Sequence, residues 1–408
     1  MDTSDFKSLL PVAVKRSNLV GEPEAIYSLY SLGVVTNRDE WVYDFDSKSV
    51  RAKVRHLIKT YNADVKKLKG VASADALNYS IKWTRAVKQS LERRERFKFE
   101  RKRLIEAAYR PFTKRILYYS GELNEVRYQI PQIFGDCGDL ENVAICQTDA
   151  ASQKPFMVLA VKQVPDLHFV GAASGTNVLP FYRYDKDGGQ QDNLTDWGLK
   201  QFRQHYGDAK ITKRDIFHYT YAVLHHPAYR AKYEINLKRE FPRLPFYENF
   251  RQWAKWGKEL MALHLDYEKA APFALERRDN PRSGDSAERR HSEDKENNAA
   301  VCRRAATPDE KPHLKPKLKA DKAAGIIEVD ATTTLSGIPP EAWDYKLGNR
   351  SALEWVLDQW KEHKISDPTV AEKFNTYRFA DHKEQVIDLL LRVCTVSVET
   401  MKIIRSFP

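Results

Sequence analysis

Long apolar runs are missing from this sequence. No stretch of about 18 consecutive apolar residues occurs, so nothing in it reads as a membrane-spanning helix. The opening residues, MDTSDFKSLLPVAVKRS, lack a basic segment followed by an apolar one and do not read as a secretion signal. Cysteine is scarce: Cys137, Cys146, Cys302 and Cys394 are scattered and form no CxxC pair. That argues against a disulfide scaffold or a zinc site and for a reducing cytoplasm.

Several catalytic signatures are absent too. No GxxxxGK[ST] loop is present to cradle a nucleotide phosphate. The glycines at 171 and 175 do not form a cofactor loop between a strand and a helix. The Pro-Pro of IPPEAW (338–343) lacks the preceding acid or amide and the following aromatic that hold a flipped adenine. The acids of GDCGDLENV have no Glu-x-Lys partner, so a metal-dependent nuclease centre is not expected. His225 and His226 are adjacent on a predicted helix and point about 100° apart, which favours packing over metal binding. Glu354, Asp358, Ser397 and Thr400 read as helix caps or surface polar groups, with no triad in view.

Positive charge is what the chain has in excess. Lys and Arg number 67 against 56 Asp and Glu, a net charge of +11, which suits a polyanionic partner such as nucleic acid. The excess is uneven. Between Lys82 and Arg115 there are thirteen Lys/Arg and four Glu, a local balance of 13 − 4 = +9. Trp83, Phe97 and Phe99 interleave with these charges. Basic residues along one face supply the sequence-independent phosphate term of DNA binding; the bland alternative is a solvated charged face.

The pattern along the chain is α+β. A short helix is expected at 25–31, a strand at 40–45, and a basic helix at 50–69. Asp75 is placed to cap a helix running to about Arg93. RFKFE alternates like a short strand, and 104–109 reads as helical until Pro111 stops it. Runs rich in Val, Ile, Tyr and Phe at 116–119, 126–130, 143–147, 156–161 and 178–184, separated by turn residues, read as a small, mostly antiparallel sheet. Helices follow at 195–206 and 249–265. Residues 277–312 are dense in charge, Ser, Asn and Pro, and are expected to be a disordered insert. Beyond them come extended pieces at 325–329 and 332–335, then helices at 352–361 (capped by Ser351), 384–393 and 397–405.

One stretch, RDIFHYTYAVLHHPAYRAKYEINLKREFPRLPF (214–246), organises the rest. Ile216, Tyr219, Val223 and Leu224 recur at helical spacing, Asp215 stands where an N-cap belongs, and Pro227 stops that helix or opens the next. Tyr229, Tyr233 and Leu237 mark a second helical face, and Pro242 and Pro245 end it in an extended exit.

This stretch also resembles the C-terminal specificity region of type ISP restriction–modification enzymes. The likeness continues through GVVTNRDEWVYDF, IKWTRAV, YRPFTKRILYYSGELNEVRYQIP and NVLPFYRY upstream. Downstream it runs through LSGIPPEAWDYKLGNRSALEWVLDQWKE and EKFNTYRFADHKEQVIDLLLRVCTVSVETMK, and lapses over about 277–312. Members are long polypeptides carrying a nuclease, a translocating ATPase, an adenine methyltransferase and a target-recognition domain. The resemblance implies a connecting segment following the methyltransferase at 1–73, a DNA target-recognition domain at 74–276, the insert at 277–312, and a helical C-terminal part at 313–408. It implies sequence-specific binding of duplex DNA in the cytoplasm without catalysis by this chain. S-adenosylmethionine, ATP and Mg are expected only in the upstream parts of the enzyme.

Within that expectation, Lys82, Arg85, Lys88, Arg110, Lys114 and Arg115 are the candidate phosphate contacts. Arg183 and Lys186, at a strand end and turn, are candidates for base reading, because Arg fits the bidentate guanine contact. The alternative is an inactive or split fragment of such an enzyme acting as a protein–protein adaptor. It predicts no salt-dependent DNA binding.

Overall fold

The computed structural model of the chain describes residues 4–14, 23–68, 77–150, 152, 154–171, 174–280 and 315–408. The apolar runs near 145, 160 and 178 build the central sheet. Its order is Ser31–Leu32, Thr176–Pro180, Ala144–Thr148, Val158–Val161, antiparallel throughout. Successive side chains of a strand leave opposite faces. Cys146, Leu159, Val161 and Val178 therefore enter one hydrophobic core, and Ile145, Val158, Ala160 and Leu179 enter a second. Both faces are covered, which is why these strands read as continuous apolar runs rather than alternating ones.

The second core is helical. Lys213–His225 packs along Phe250–Leu265. The first of these is not capped by Asp215 as expected: Thr212 is the N-cap, and Asp215, in the first turn, returns a bond to it in a capping box. Pro227 does open the next helix, Pro227–Lys232. The extended exit follows as Arg243–Leu244, which pairs with Leu10–Pro11 near the other end of the chain.

The first core lies under a second sheet, ordered Tyr43–Asp44, Thr113–Tyr118, Leu104–Arg110, Val164–Pro165. Its last pair is parallel. The helix Ser47–Leu68 and the C-terminal helices Ala352–Gln359 and Phe379–Arg405 share this core. The expected helix at 104–109 is here a strand, part of a hairpin closed by Pro111 and Phe112, with Phe112 at φ 54°. Proline at the second position of a tight turn and proline after a helix look alike in sequence, and the buried run Ala107, Ala108, Tyr109 has no period to separate them.

Other expectations change in the same way. The run 25–31 holds no helix; Tyr27 bridges Leu194 and Ser31 opens a strand. The run 40–45 begins as the helix Asp39–Val42, and only Tyr43–Asp44 is a strand. Among the described residues RFKFE pairs with no strand, and 126–130 has only the bridge from Val126 to Val35. The helix expected from Asp75 begins at Arg85, and Asp75 itself lies outside the described residues. The two last helices are one, Phe379–Arg405. The extended pieces expected at 325–329 and 332–335 are the strands Ile326–Asp330 and Thr333–Ser336, which lie in a sheet ordered Glu276–Asp279, Thr333–Ser336, Ile326–Asp330, Pro316–Asp321. Arg277 to Asp279 thus belong to an edge strand, and the rest of the expected insert, except Asn280, lies outside the described residues. The α+β class with small, mostly antiparallel sheets holds throughout.

Candidate nucleic-acid interface

The helix Ser47–Leu68 buries Val50, Val54, Leu57, Ile58 and Tyr61, and its period leaves Arg51, Arg55 and Lys59 on the solvent side. The segment after Arg93 runs alongside it. Asn62 exchanges two hydrogen bonds with the backbone of Phe97, at 2.8 and 3.0 Å, and the rings of Tyr61 and Phe97 stack at 3.9 Å. Arg94, Arg96 and Lys98 are left exposed. The short helix Arg85–Glu92 joins the same core through Val87 and Leu91. Its solvent side carries Arg85 and Lys88, with Lys82 exposed just before it. Arg85 lies 3.3 Å from Glu125, yet its side chain is 74% exposed. Lys82, Arg85 and Lys88 are thus all accessible, as are Arg51, Arg55 and Lys59.

The hairpin brings Arg110, Lys114 and Arg115 together, but in a different state. Arg110 Nη1 donates to Asp166 at 2.6 Å, with both side chains largely buried. Burial opposes the Arg110 charge; Asp166, then Tyr109 and Asp39, outweigh it and raise the pKa. Lys114 lies 2.6 Å from Glu268 and 3.0 Å from Glu106. Both cations are thus already paired with carboxylates inside the fold, Arg110 through one guanidinium nitrogen and Lys114 through its ammonium. Arg115 stacks over the rings of Phe45 and Tyr109, at 4.7 and 4.1 Å. Burial, with Arg110 close by, lowers its pKa.

Breaking the Arg110–Asp166 pair at one end strands a buried charge. Asp166→Ala is expected to cost about 3–5 kcal/mol in urea unfolding, and the double replacement Arg110→Met with Asp166→Leu to recover most of it. A loss under about 1 kcal/mol for the single variant would mean that the pair is solvated and weak.

Arg183 and Lys186 belong to a separate ribbon, Tyr182–Tyr184 with Gln190–Asp192. Lys186 is exposed at its tip, where Asp185 accepts the backbone N–H of Asp187 and Gly189. Arg183 is half-buried and its Nε has no hydrogen-bond partner among the described residues. His225 and His226 diverge. Nδ1 of His225 donates to the Tyr221 carbonyl at 2.8 Å, and Nδ1 of His226 faces the Tyr247 hydroxyl at 3.1 Å. Among the described residues no group of three or more His, Cys, Asp or Glu is placed to hold a metal ion. Asp166 and Glu268, which neutralise the hairpin cations, had no sequence signal: they lie 56 and 154 residues from their partners.

The description "Type ISP C-terminal specificity domain" fits residues 25–389. The chain belongs to that family. Comparison with curated proteins gives no match. Among solved structures this specificity domain resembles a cryo-EM structure of a DrdV–DNA complex, at 45% identity and a TM-score of 0.88, covering 100% of this chain and 39% of that one. It also resembles a nuclease-deletion mutant of the type ISP restriction–modification enzyme LlaGI in complex with a DNA substrate mimic, at 28% identity and a TM-score of 0.77, covering 100% of this chain and 34% of that one. The ATP-dependent type ISP enzyme LlaBIII bound to DNA shares the fold, with a TM-score of 0.79 at 23% identity over 100% of this chain and 24% of the other. The type ISP specificity domain described here thus spans about two-fifths of the DrdV chain. No helix among its described residues is long and apolar enough to cross a membrane.

Proposed function

We propose that this type ISP specificity domain binds duplex DNA and reads a short sequence for a larger restriction–modification enzyme. The observation that carries the proposal is the exposure of Lys82, Arg85 and Lys88, together with the cations Arg51, Arg55 and Lys59 on the solvent side of Ser47–Leu68. Such cations engage phosphates, while a projecting element reaches base edges; the ribbon bearing Lys186 is the candidate for that role. The related DrdV and LlaGI structures are DNA complexes, which supports the same reading. Methyl transfer, translocation and cleavage, with S-adenosylmethionine, ATP and Mg, are assigned to other parts of the enzyme. The chain acts in the cytoplasm and catalyses nothing by itself.

Replacing Lys82, Arg85 and Lys88 together by alanine tests the phosphate role. Duplex binding is expected to weaken, and the plot of log K against log salt to become shallower by about 2–3, since each lost phosphate contact removes about 0.9. Stability should hardly change at Lys82 and Lys88, whereas removing Arg85 takes the paired cation from the largely buried Glu125 carboxylate and should cost somewhat more. A slope equal to that of the parent would remove these residues from the interface.

A further inference from the structure

We propose that the cavity around Arg115 is a binding site for a phosphoryl group. The cavity has a volume of about 510 Å³ and opens between residues 39–53, the 104–118 hairpin and residues 358–378. That size suits a small ligand. Its carboxylates are all engaged. Asp39 accepts from the hydroxyls of Thr36 and Tyr109. Glu40 accepts the backbone N–H of Ser366 and of Asp367, at 2.7 and 2.8 Å. Asp44 pairs with Lys53 and Asp358 with Arg350. Glu362 accepts from the Phe379 N–H.

The Arg115 guanidinium is the exception. It makes no hydrogen bond or ion pair with any described residue, and its Nε is sealed from solvent without a partner. Phe45 and Tyr109 pin it by stacking. Arg110, the adjacent cation on the hairpin, is already matched to Asp166. Lys364 and Arg378 add exposed positive charge to the cavity wall. A partly buried cation that makes no direct ion pair is costly, even with the charges of Asp44 and Asp39 close enough to favour it, and a guanidinium stacked on two rings is pre-organised for bidentate contact with an oxyanion. The guanidinium is therefore free to take an anion as its direct partner. The site stands on this geometry. Only its assignment to a backbone phosphate of DNA, rather than to a free phosphate, rests on the DNA-binding proposal.

Thermal unfolding of the 408-residue chain with inorganic phosphate, against chloride at the same ionic strength, tests the site. At about ten times its dissociation constant, phosphate is expected to raise the melting temperature by about 2 °C. Arg115→Met should melt at or above the parent temperature without phosphate and lose the response. Arg115→Lys, which keeps the charge but not the fork, should need roughly tenfold more phosphate. The source follows from duplex binding: a slope shallower by about 0.9 in Arg115→Met places a DNA phosphate there. An unchanged slope with lost phosphate protection assigns a free phosphate and overturns the DNA assignment. Phosphate protection in a parent chain that binds no duplex keeps the site and sinks the DNA-binding proposal instead. If phosphate does no more than chloride and the slope is also unchanged, the site is overturned.

Discussion

Gly257→Ala is expected to unfold the helical core of this domain, at a cost of at least about 3 kcal/mol. The helices Lys213–His225 and Phe250–Leu265 make the most extensive contact between any two elements of the fold, and Gly257 lies where their backbones meet. A Cβ there would fall 1.8 Å from the His218 carbonyl oxygen and 3.2 Å from the Ala222 nitrogen. Both are backbone atoms, so no side chain can swing aside. The helices must separate, and Trp253, Leu260, Ile216 and Val223 lose packing with them. Gly207 offers the contrast. It is left-handed at φ 60° with nothing within 4 Å of its Cβ position, so alanine there meets only backbone strain, about 1 kcal/mol. Urea unfolding of both variants checks this; equal losses at the two sites would show that the helix crossing has room to adjust.

The domain should also lose stability in mild acid. His264 is buried in the same core, its Nδ1 2.6 Å from the Tyr221 hydroxyl and its Nε2 3.0 Å from the Thr400 hydroxyl. Burial, and then the Arg230 charge, push its pKa down to about 3. Burial and Arg230 likewise hold His225 well below its ordinary value, and burial and Arg214 lower His218 to about 4. These rings stay neutral in the fold but take up protons once unfolded. Their contribution is complete above pH 6.5, the ordinary histidine value, and is lost as pH falls from there toward the folded values. For His264 alone the loss at pH 5 is about 2 kcal/mol; His225 and His218 add to it in the same direction. Urea midpoints should therefore fall steadily between pH 7 and pH 5. A flat profile over that range would mean that the rings reach solvent in the native state.

These two expectations rest on features with different visibility in the sequence. Helical spacing and the punctuation by Pro227 marked the helices that meet at Gly257, but nothing local said that their backbones would touch. The strands around Cys146, Leu159 and Val178 were visible as apolar runs, while the division of their faces between two cores depends on pairing with Ser31–Leu32, more than a hundred residues upstream. Leu104–Arg110 reads as a helix in sequence because its buried run carries no period, and Phe379–Arg405 reads as two helices because Thr395 and Val396, poor helix formers, interrupt a helix that tertiary packing sustains. For the candidate site, charge density alone pointed to 82–115. It could not separate exposed Lys82, Arg85 and Lys88 from Arg110 and Lys114, whose carboxylate partners are remote or, at Glu106, lie across a turn read as a helix end. Nor could it single out Arg115, which stacks on Phe45, far away in sequence, and makes no direct ion pair among the described residues.

The most direct measurement is selection of bound duplexes from a randomised pool by the 408-residue chain at two salt concentrations. A specificity domain that reads DNA on its own is expected to enrich a short asymmetric motif, with retention that falls steeply as salt rises. No retained duplex even at the lower salt would contradict DNA recognition by this domain.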